Sequence, residues 1–247
     1  MTRVMQYVAL VATPLTLIAV WELAARADRM IAFSLGQPSQ ILRLLVTGAT
    51  TGDLVYDVAI TLSAALIGLV IGALAGFCIG ALAGTNEAVD RALAPVLNVL
   101  SVIPLFAIGP VLIFSMGLGL GSKIFLSALA SGFLAIALTY QHIRQTPASM
   151  MDLVSVTDPR AVLREVQLPY AALKLMTNLR ALLGAAIAGA LVGEFIGSNA
   201  GVGHAILVAE GLFNVNGIWV GILALSIGAV VLGIAASWAE RYAIRRL

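Results

Sequence analysis

The amino-acid sequence predicts an all-α integral membrane protein with six transmembrane helices, in a single transmembrane domain over residues 1–247. Of these residues, 61% are hydrophobic and 11% are charged, and the mean hydropathy is +1.04. Soluble domains are about 45–50% apolar and about 25% charged. A spanning helix needs about 20 mainly apolar residues. Six stretches meet this requirement, at 7–25, 59–83, 93–116, 124–142, 173–195 and 218–238.

The composition also argues against several other kinds of site. The net charge of +2 is too small and too scattered for a nucleic-acid surface or a polybasic lipid-binding patch. Cys78 is the only cysteine, so no intrachain disulfide can form. His142 and His204 are far apart and no CxxC or HExxH motif is present, so we expect no metal site.

The first span allows two interpretations. Arg3 precedes its apolar run, and residues 25–27 resemble the small-x-small cleavage site of a secretory signal peptide. We favour a retained transmembrane helix over a cleaved signal.

The connection after the first span contains "LGQPSQILRLLVTG". Pro38 ends one segment, and Ser39 is a residue type that caps the N-terminus of the next helix. The apolar side chains that follow lie on one side of a short helix. This pattern predicts an interfacial helix with an apolar side formed by Ile41, Leu42, Leu44 and Leu45.

The second span carries a glycine at every fourth position: Gly68, Gly72, Gly76, Gly80 and Gly84. A phosphate-binding loop is excluded, because neither GxxxxGK[ST] nor GxGxxG is present after a strand. Spacing of four places all five glycines on one ridge of a helix, where a second helix can approach closely. We favour packing within the chain over a homodimer seam, and we interpret the ridge as scaffold.

Two spans contain residues that disturb a regular membrane helix. The third span includes Pro95, Pro104 and Pro110, which must kink or break it. The fifth span includes Arg180 near its start, so this arginine either reaches to the membrane interface or marks a later helix boundary.

The distribution of lysine and arginine predicts that both termini are cytoplasmic. Ten of these residues fall on the N-terminal side of the membrane: Arg3, Arg91, Arg144, Arg160, Arg164, Lys174, Arg180, Arg241, Arg245 and Arg246. Four fall on the other side: Arg26, Arg29, Arg43 and Lys123. Leaving out Arg180 still gives nine against four.

The most polar stretch is the cytoplasmic connection between the fourth and fifth spans, "QTPASMMDLVSVTDPRAVLREVQLPYAALK". Asp158 and Pro159 are typical of a helix start. We predict a short helix from Pro159 to about Val166, ended by Leu168-Pro169 before the next span. On periodicity alone this segment is either a connector on the membrane surface or a docking site for a soluble partner.

This connection resembles the EAA loop of permease subunits from type I ATP-binding-cassette importers. In that family, Glu-Ala-Ala is followed by three residues, Gly, nine residues, an aliphatic residue, one residue and Leu-Pro. The corresponding positions here are Met150-Met151-Asp152, Val156, Val166 and Leu168-Pro169. The spacing and the later half of the motif match, whereas Glu-Ala-Ala and the glycine are replaced.

Three further segments resemble the nitrate, sulfonate and taurine branch of this family. They are "LGQPSQIL", "VLSVIPLFAIGPVLIFSMGLGLGSKIF" and "GEFIGSNAGVGHAIL". The resemblance extends from Trp21 to the closing "ERYAIRRL".

The resemblance implies a type I importer permease fold in the bacterial cytoplasmic (inner) membrane. It implies a dimer of two permease chains, two cytoplasmic ATPase subunits that bind ATP and Mg, and a periplasmic solute-binding protein. It implies no catalysis and no cofactor in this chain, and Walker A and Walker B patterns are absent from the sequence. The implied solutes are nitrate, sulfonates, bicarbonate, aromatic acids or vitamin precursors.

The resemblance also suggests which residues contact the ATPase. Arg160 and Arg164 lie about one helical turn apart and could bind carboxylates of the ATPase, or alternatively lipid phosphates. The predicted coupling segment, about 146–170, includes Asp152, Thr157, Asp158, Pro159, Arg160, Arg164, Glu165, Leu168 and Pro169.

Glu194, near the end of the fifth span, is a functional candidate because a carboxylate in a membrane is costly unless it is paired or hydrated. It could face the translocation path, seal an outer gate, pair with a basic group at the dimer seam, or simply be exposed at the interface. Asn98 and Ser101 could line the path or bond between helices. The candidate path or gate residues are Asn98, Ser101, Pro104, Glu194, Ser198 and Asn199.

The alternative function is a secondary transporter or a channel that works without an ATPase. Such transporters usually contain buried acid or histidine relays, whereas Glu194 is the one plausible embedded acid here. An intramembrane enzyme is less favoured, because the spans contain no HExxH, paired aspartates or Ser-His pair.

Overall fold

The computed structural model describes the backbone of residues 3–102, 105–151 and 161–245. Within these ranges, side chains are described except at 3–11, 96–102, 105–106, 148–149 and 242–245. Every regular element in the described ranges is a helix.

The described helices are numbered in chain order. They are α1 Arg3–Ala27, α2 Arg29–Leu35, α3 Pro38–Thr51, α4 Asp53–Thr85, α5 Glu87–Val102, α6 Leu105–Met116, α7 Leu120–Arg144, α8 Ala148–Met151, α9 Val162–Gln167, α10 Leu168–Thr177, α11 Leu179–Ile196, α12 Val202–Gly211 and α13 Val215–Arg245.

Four of the described helices are long and apolar enough to cross a membrane: α4, α7, α11 and α13. They correspond to the second, fourth, fifth and sixth predicted spans. The first predicted span falls within α1, and the third falls on α5 and α6. Pro95 lies inside α5 and Pro110 inside α6, whereas Pro104 lies outside the described residues.

The core of the bundle is the contact between α4 and α7. All five glycines of the α4 ridge face α7: the nearest atoms to a Cβ added at Gly76 are the Ala135 Cβ and the Gly132 carbonyl oxygen, both 2.6 Å away. Ser127 of α7 donates a hydrogen bond from Oγ to the Ala65 carbonyl of α4, at 3.2 Å. The close approach that glycine permits is therefore used by another helix of the same chain.

Gly76→Ala is expected to lower the free energy of unfolding by about 1–3 kcal/mol, because the added methyl forces α4 and α7 apart. Gly184→Ala in α11 is the matched control, since no heavy atom lies within 4 Å of its added Cβ. The control is expected to be neutral or stabilising by up to about 1 kcal/mol, through helix propensity. Thermal denaturation in detergent measures both, and equal destabilisation of the two variants would contradict the packing argument.

The predicted break at Leu168-Pro169 is wrong. The π-helical turn α9 leads directly into α10, and Pro169 occupies the first turn of α10. Proline is tolerated there because the first turn of an α-helix does not need its missing N–H. The interruption comes at Asn178, between α10 and α11, where the Asn178 side chain donates to the Lys174 carbonyl at 2.8 Å.

Arg180 is the second residue of α11, with an exposed side chain 3.5 Å from the Glu240 carboxylate of α13. The fifth membrane helix therefore begins close to this arginine rather than at residue 173.

The interfacial helix is present as α3, but Ser39 does not cap it. Gln37 is the N-cap residue, and its side chain makes no capping bond. Instead, the Glu22 carboxylate of α1 accepts hydrogen bonds from the Ser39 N–H at 2.9 Å and the Ser39 hydroxyl at 2.8 Å. A carboxylate from another helix thus satisfies a free donor of the first turn.

The expected apolar side of α3 is only partly buried. Ile41 is buried, whereas Leu42 and Leu44 are exposed. Exposed leucines on a helix beside a membrane core are typical of contact with lipid, as expected for an interfacial helix.

Candidate functional site

Glu194 is the most deeply buried charged group among the described residues, with 0% exposure. It lies near the C-terminal end of α11, which packs against both α4 and α7. Its burial excludes the interpretation of a carboxylate simply exposed at the interface. A charge in this position requires close partners.

The partners of Glu194 come from three different parts of the chain. The Thr61 hydroxyl of α4 lies 2.9 and 3.0 Å from the two carboxylate oxygens. The backbone N–H of Gly203, in α12, donates to Oε2 at 2.8 Å. The Lys123 ammonium of α7 lies 3.3 Å from Oε1. Glu194 thus connects α11 to α4, α7 and α12.

Lys123, which the sequence assigns to the outer side of the membrane, is buried, with 3% exposure. It lies within α7, because the helix begins at Leu120, three residues before the lysine. Without Lys123, the distribution of basic residues is ten against three and favours the same orientation.

The loop between α11 and α12 is held by the same groups. Lys123 also donates to the Ala200 carbonyl, and the Ser198 hydroxyl donates to that carbonyl at 2.6 Å. The Asp57 carboxylate of α4 accepts from the Gly201 N–H at 2.8 Å. We call this arrangement of Asp57, Thr61, Lys123, Glu194 and loop 197–201 the outer-loop cluster.

Two glycines allow the loop to approach the carboxylate. Gly201 has a φ of +107°, and a Cβ there would overlap the Glu194 carboxylate. A Cβ at Gly203 would lie 2.7 Å from the Glu194 Cβ. Side chains at these positions would displace the loop from the carboxylate.

The outer-loop cluster is suited to holding a conformation, because the charges of Lys123 and Glu194 neutralise each other and the Asp57 carboxylate accepts a hydrogen bond from the loop. Breaking such a pair inside a protein leaves an uncompensated buried charge. A small cavity of about 220 Å³ adjoins it, lined by Ile60, Leu118, Gly119, Leu120, Lys123, Ser198, Asn199 and Ala200. Asn199 itself is exposed and Ser198 is half-buried.

The other predicted path residues are not tested by the structure. Pro104 and the side chains of Asn98 and Ser101 lie outside the described residues, so their roles remain predictions. His204 lies in the first turn of α12 and is half-buried.

At the opposite end of the bundle, the described part of the predicted coupling segment is helical from residue 148 onward. Arg164 and Glu165 are exposed in α9, Pro169 is exposed and Leu168 is half-buried. Asp152, Thr157, Asp158, Pro159 and Arg160 lie outside the described residues. The relation between Arg160 and Arg164 therefore remains a prediction.

The coupling segment joins the core through α10. Ala171 and Leu175 of α10 are buried, and the Tyr170 ring contacts His142 of α7 edge-on, with 6.3 Å between ring centroids. Because α7 also carries Lys123 at its other end, one continuous helix connects the coupling segment with the outer-loop cluster.

Sequence reasoning missed Asp57, Thr61 and Glu22, and did not identify Lys123 as the partner of Glu194. The available signals were a polar pair four residues apart at the start of the second span and a lysine directly beside an apolar run. Buried membrane carboxylates need a cationic or donor partner, so Glu194 itself was the reason to search for one.

Four spanning helices, a buried ion pair at one end of the bundle and an exposed charged helix at the other define a multi-pass α-helical membrane protein. Residues 68–247 match the family of binding-protein-dependent transport system inner membrane components. The chain belongs to this family, which confirms the resemblance inferred from its motifs.

Individual relatives cover most of the chain. The riboflavin transport system permease protein RibX of Chloroflexus aurantiacus is 33% identical over 94% of this chain and 88% of its own. The putative aliphatic sulfonates transport permease protein SsuC of Bacillus subtilis is 29% identical, over 87% and 78%. The formylaminopyrimidine transport permease protein ThiX of Halalkalibacterium halodurans is 28% identical, over 90% and 88%.

These similarities identify the chain as a membrane permease of the ATP-binding-cassette type. The family is one of transport components, and its members work in binding-protein-dependent systems. The multi-pass membrane location follows from the family and from the four apolar helices together.

Proposed function

We propose that this chain forms the translocation path of an ATP-driven importer, as one of two identical permease chains. Two cytoplasmic ATPase subunits bind the coupling segment, and a periplasmic binding protein delivers the solute on the other side. ATP and Mg are bound by the ATPase subunits. The observation that carries this proposal is the continuity from the exposed α9 through α10 to α7, within a chain of the permease family.

The mechanism follows from that continuity. ATP binding draws the ATPase subunits together, and the docked α9 moves with them. Because α10 packs against α7, this displacement reaches the α4–α7 core and the outer-loop cluster. Rigid helices that pack closely move as bodies, so the two permease chains rock between inward-open and outward-open states.

The proposed solute is a small organic molecule or anion. Relatives are named for riboflavin, aliphatic sulfonates and formylaminopyrimidine, and the broader class includes nitrate, bicarbonate and aromatic acids. Selection among them rests with the binding protein, because Lys123 of the outer-loop cluster is already paired with Glu194.

ATPase docking is tested by reversing the charge of the coupling helix. In the purified complex, Arg160→Glu with Arg164→Glu is expected to lose the ATPase subunits and the stimulation of ATP hydrolysis by the solute-loaded binding protein. Charge-assisted bonds from arginine to carboxylates become repulsions in this variant. Copurification and ATPase rate are measured together.

Arg91→Glu is the matched control, since Arg91 is exposed on α5 and lies on the same predicted side of the membrane. It is expected to retain both the ATPase subunits and the stimulation. If the coupling variant also retains them, or if no ATPase associates with the unaltered chain, the partner-independent transporter or channel becomes the better account.

A further inference from the structure

An apolar groove lies between α1, α3 and α13, away from the outer-loop cluster. Its volume is about 570 Å³. Its walls include Ile18 of α1, Leu42 of α3 and Leu223 of α13, whose side chains are all exposed. The groove is therefore open at the outer surface of the helix bundle.

The groove has one polar end. Glu22, Arg26 and Ser39 lie there, whereas Leu15 lines the other end. Trp21 and Trp219 line the groove near the polar end, with 5.4 Å between their ring centroids. Their indole N–H groups donate to the carbonyls of Gly36 and Leu35.

These tryptophans place the polar end at the membrane surface, because tryptophan is enriched at the depth of the lipid headgroups. Along α1, the distance from Arg26 to Leu15 is about 16 Å, at 1.5 Å per residue. The hydrocarbon core of a bilayer is about 30 Å thick, so the groove covers about the depth of one leaflet.

The cation at the polar end remains able to bind an anion. Arg26 bonds to Glu22 through Nε at 2.6 Å, and its side chain is 63% exposed. The Glu22 carboxylate is meanwhile occupied by Ser39 and Gln37 as well. A guanidinium presents several donors in a fork that matches phosphate oxygens.

We propose that this groove binds one membrane phospholipid, with an acyl chain between α1, α3 and α13 and the phosphate on the Arg26 guanidinium. The depth of one leaflet and the guanidinium of Arg26, the one basic residue among the described residues of the groove lining, fit a lipid. A transmembrane helix from a second copy of the chain would need an apolar groove of about 30 Å, through the whole bilayer.

Native mass spectrometry of the purified full-length chain tests this proposal, with dioleoylphosphatidylglycerol titrated onto delipidated protein. Ala19→Trp fills the groove and is expected to abolish the tightest lipid adduct. Arg26→Gln is expected to weaken that adduct about tenfold, as for loss of a charge-assisted hydrogen bond. Dioleoylglycerol, which lacks the phosphate, is expected to bind the unaltered chain and Arg26→Gln equally.

Leu17→Trp is the matched control, since Leu17 is exposed on α1 but does not line the groove. It is expected to keep the lipid adduct. Equal lipid retention by all variants would overturn the proposal. It would also be overturned if Ala19→Trp converted a dimer to monomers without changing lipid binding, because the occupant would then be a second copy of the chain.

Discussion

Lys123→Met is expected to lower the free energy of unfolding by about 3–5 kcal/mol, because it leaves the Glu194 carboxylate buried without its counter-charge. The lysine side chain is 4% exposed and that of Glu194 is 0% exposed, so the pair is shielded from bulk water. The variant also removes the donor to the Ala200 carbonyl. We therefore expect loop 197–201 to detach from α7 in the same variant.

Thermal denaturation in detergent measures the loss of stability, and limited proteolysis at the loop reports its detachment. Adding Glu194→Gln to Lys123→Met is expected to recover a large part of the stability, because the amide no longer carries a buried charge. The two single variants and the double variant form a cycle that isolates the coupling between the side chains.

Arg144→Met is the matched control at the other end of α7. Arg144 bonds to the Asp90 carboxylate at 3.0 Å, but its side chain is 47% exposed, and exposed ion pairs contribute about 0–1 kcal/mol. A loss from Lys123→Met no larger than that from Arg144→Met would show that Glu194 is hydrated or neutral in the protein, and would contradict the buried pair.

The sequence predicts the helix packing of this protein better than its polar contacts. In a helix, glycines at every fourth position lie along one side, and those of α4 contact α7 along the length of the ridge. Hydropathy likewise locates the four spanning helices, with ends that differ from those in the structure by up to seven residues. Both signals are local, because they depend on the spacing within one helix.

The outer-loop cluster depends instead on residues far apart in the chain. Thr61 and Glu194 are separated by 133 positions, and Lys123 and Glu194 by 71. A hydropathy profile places a lysine at the membrane surface when it adjoins an apolar run, because the profile registers the charge of the side chain but not its partner. Only the packing of α4, α7 and α11 shows that this lysine is buried.

The coupling segment shows a different reason why sequence-based prediction fails. Leu168-Pro169 indicates a helix end when proline is assumed to lie in a helix interior. In the structure the proline opens α10 after a π-helical turn, so the helix continues past it. The same residue types permit both outcomes, and the neighbouring turn decides between them.

Gly201→Ala is the second substitution for which we expect a large effect. The positive φ of Gly201 costs a non-glycine residue about 1–3 kcal/mol. The added Cβ would also overlap the Glu194 carboxylate, and overpacking a buried site costs about 1–3 kcal/mol more. The loop must then move away from the carboxylate, which removes the bond between the Gly201 N–H and Asp57.

Gly117→Ala separates these two costs. Gly117 also has a positive φ, of +82°, but no heavy atom lies within 4 Å of an added Cβ. Its substitution is expected to show the backbone strain alone, so the difference between the variants measures the contact of loop 197–201 with Glu194. In reconstituted transporter, Gly201→Ala should also change the ATPase stimulation by the binding protein, whereas Gly117→Ala should not. If both substitutions cost the same and leave stimulation unchanged, the loop does not depend on the carboxylate, and the outer-loop cluster is not the element that links α7 to the outer surface.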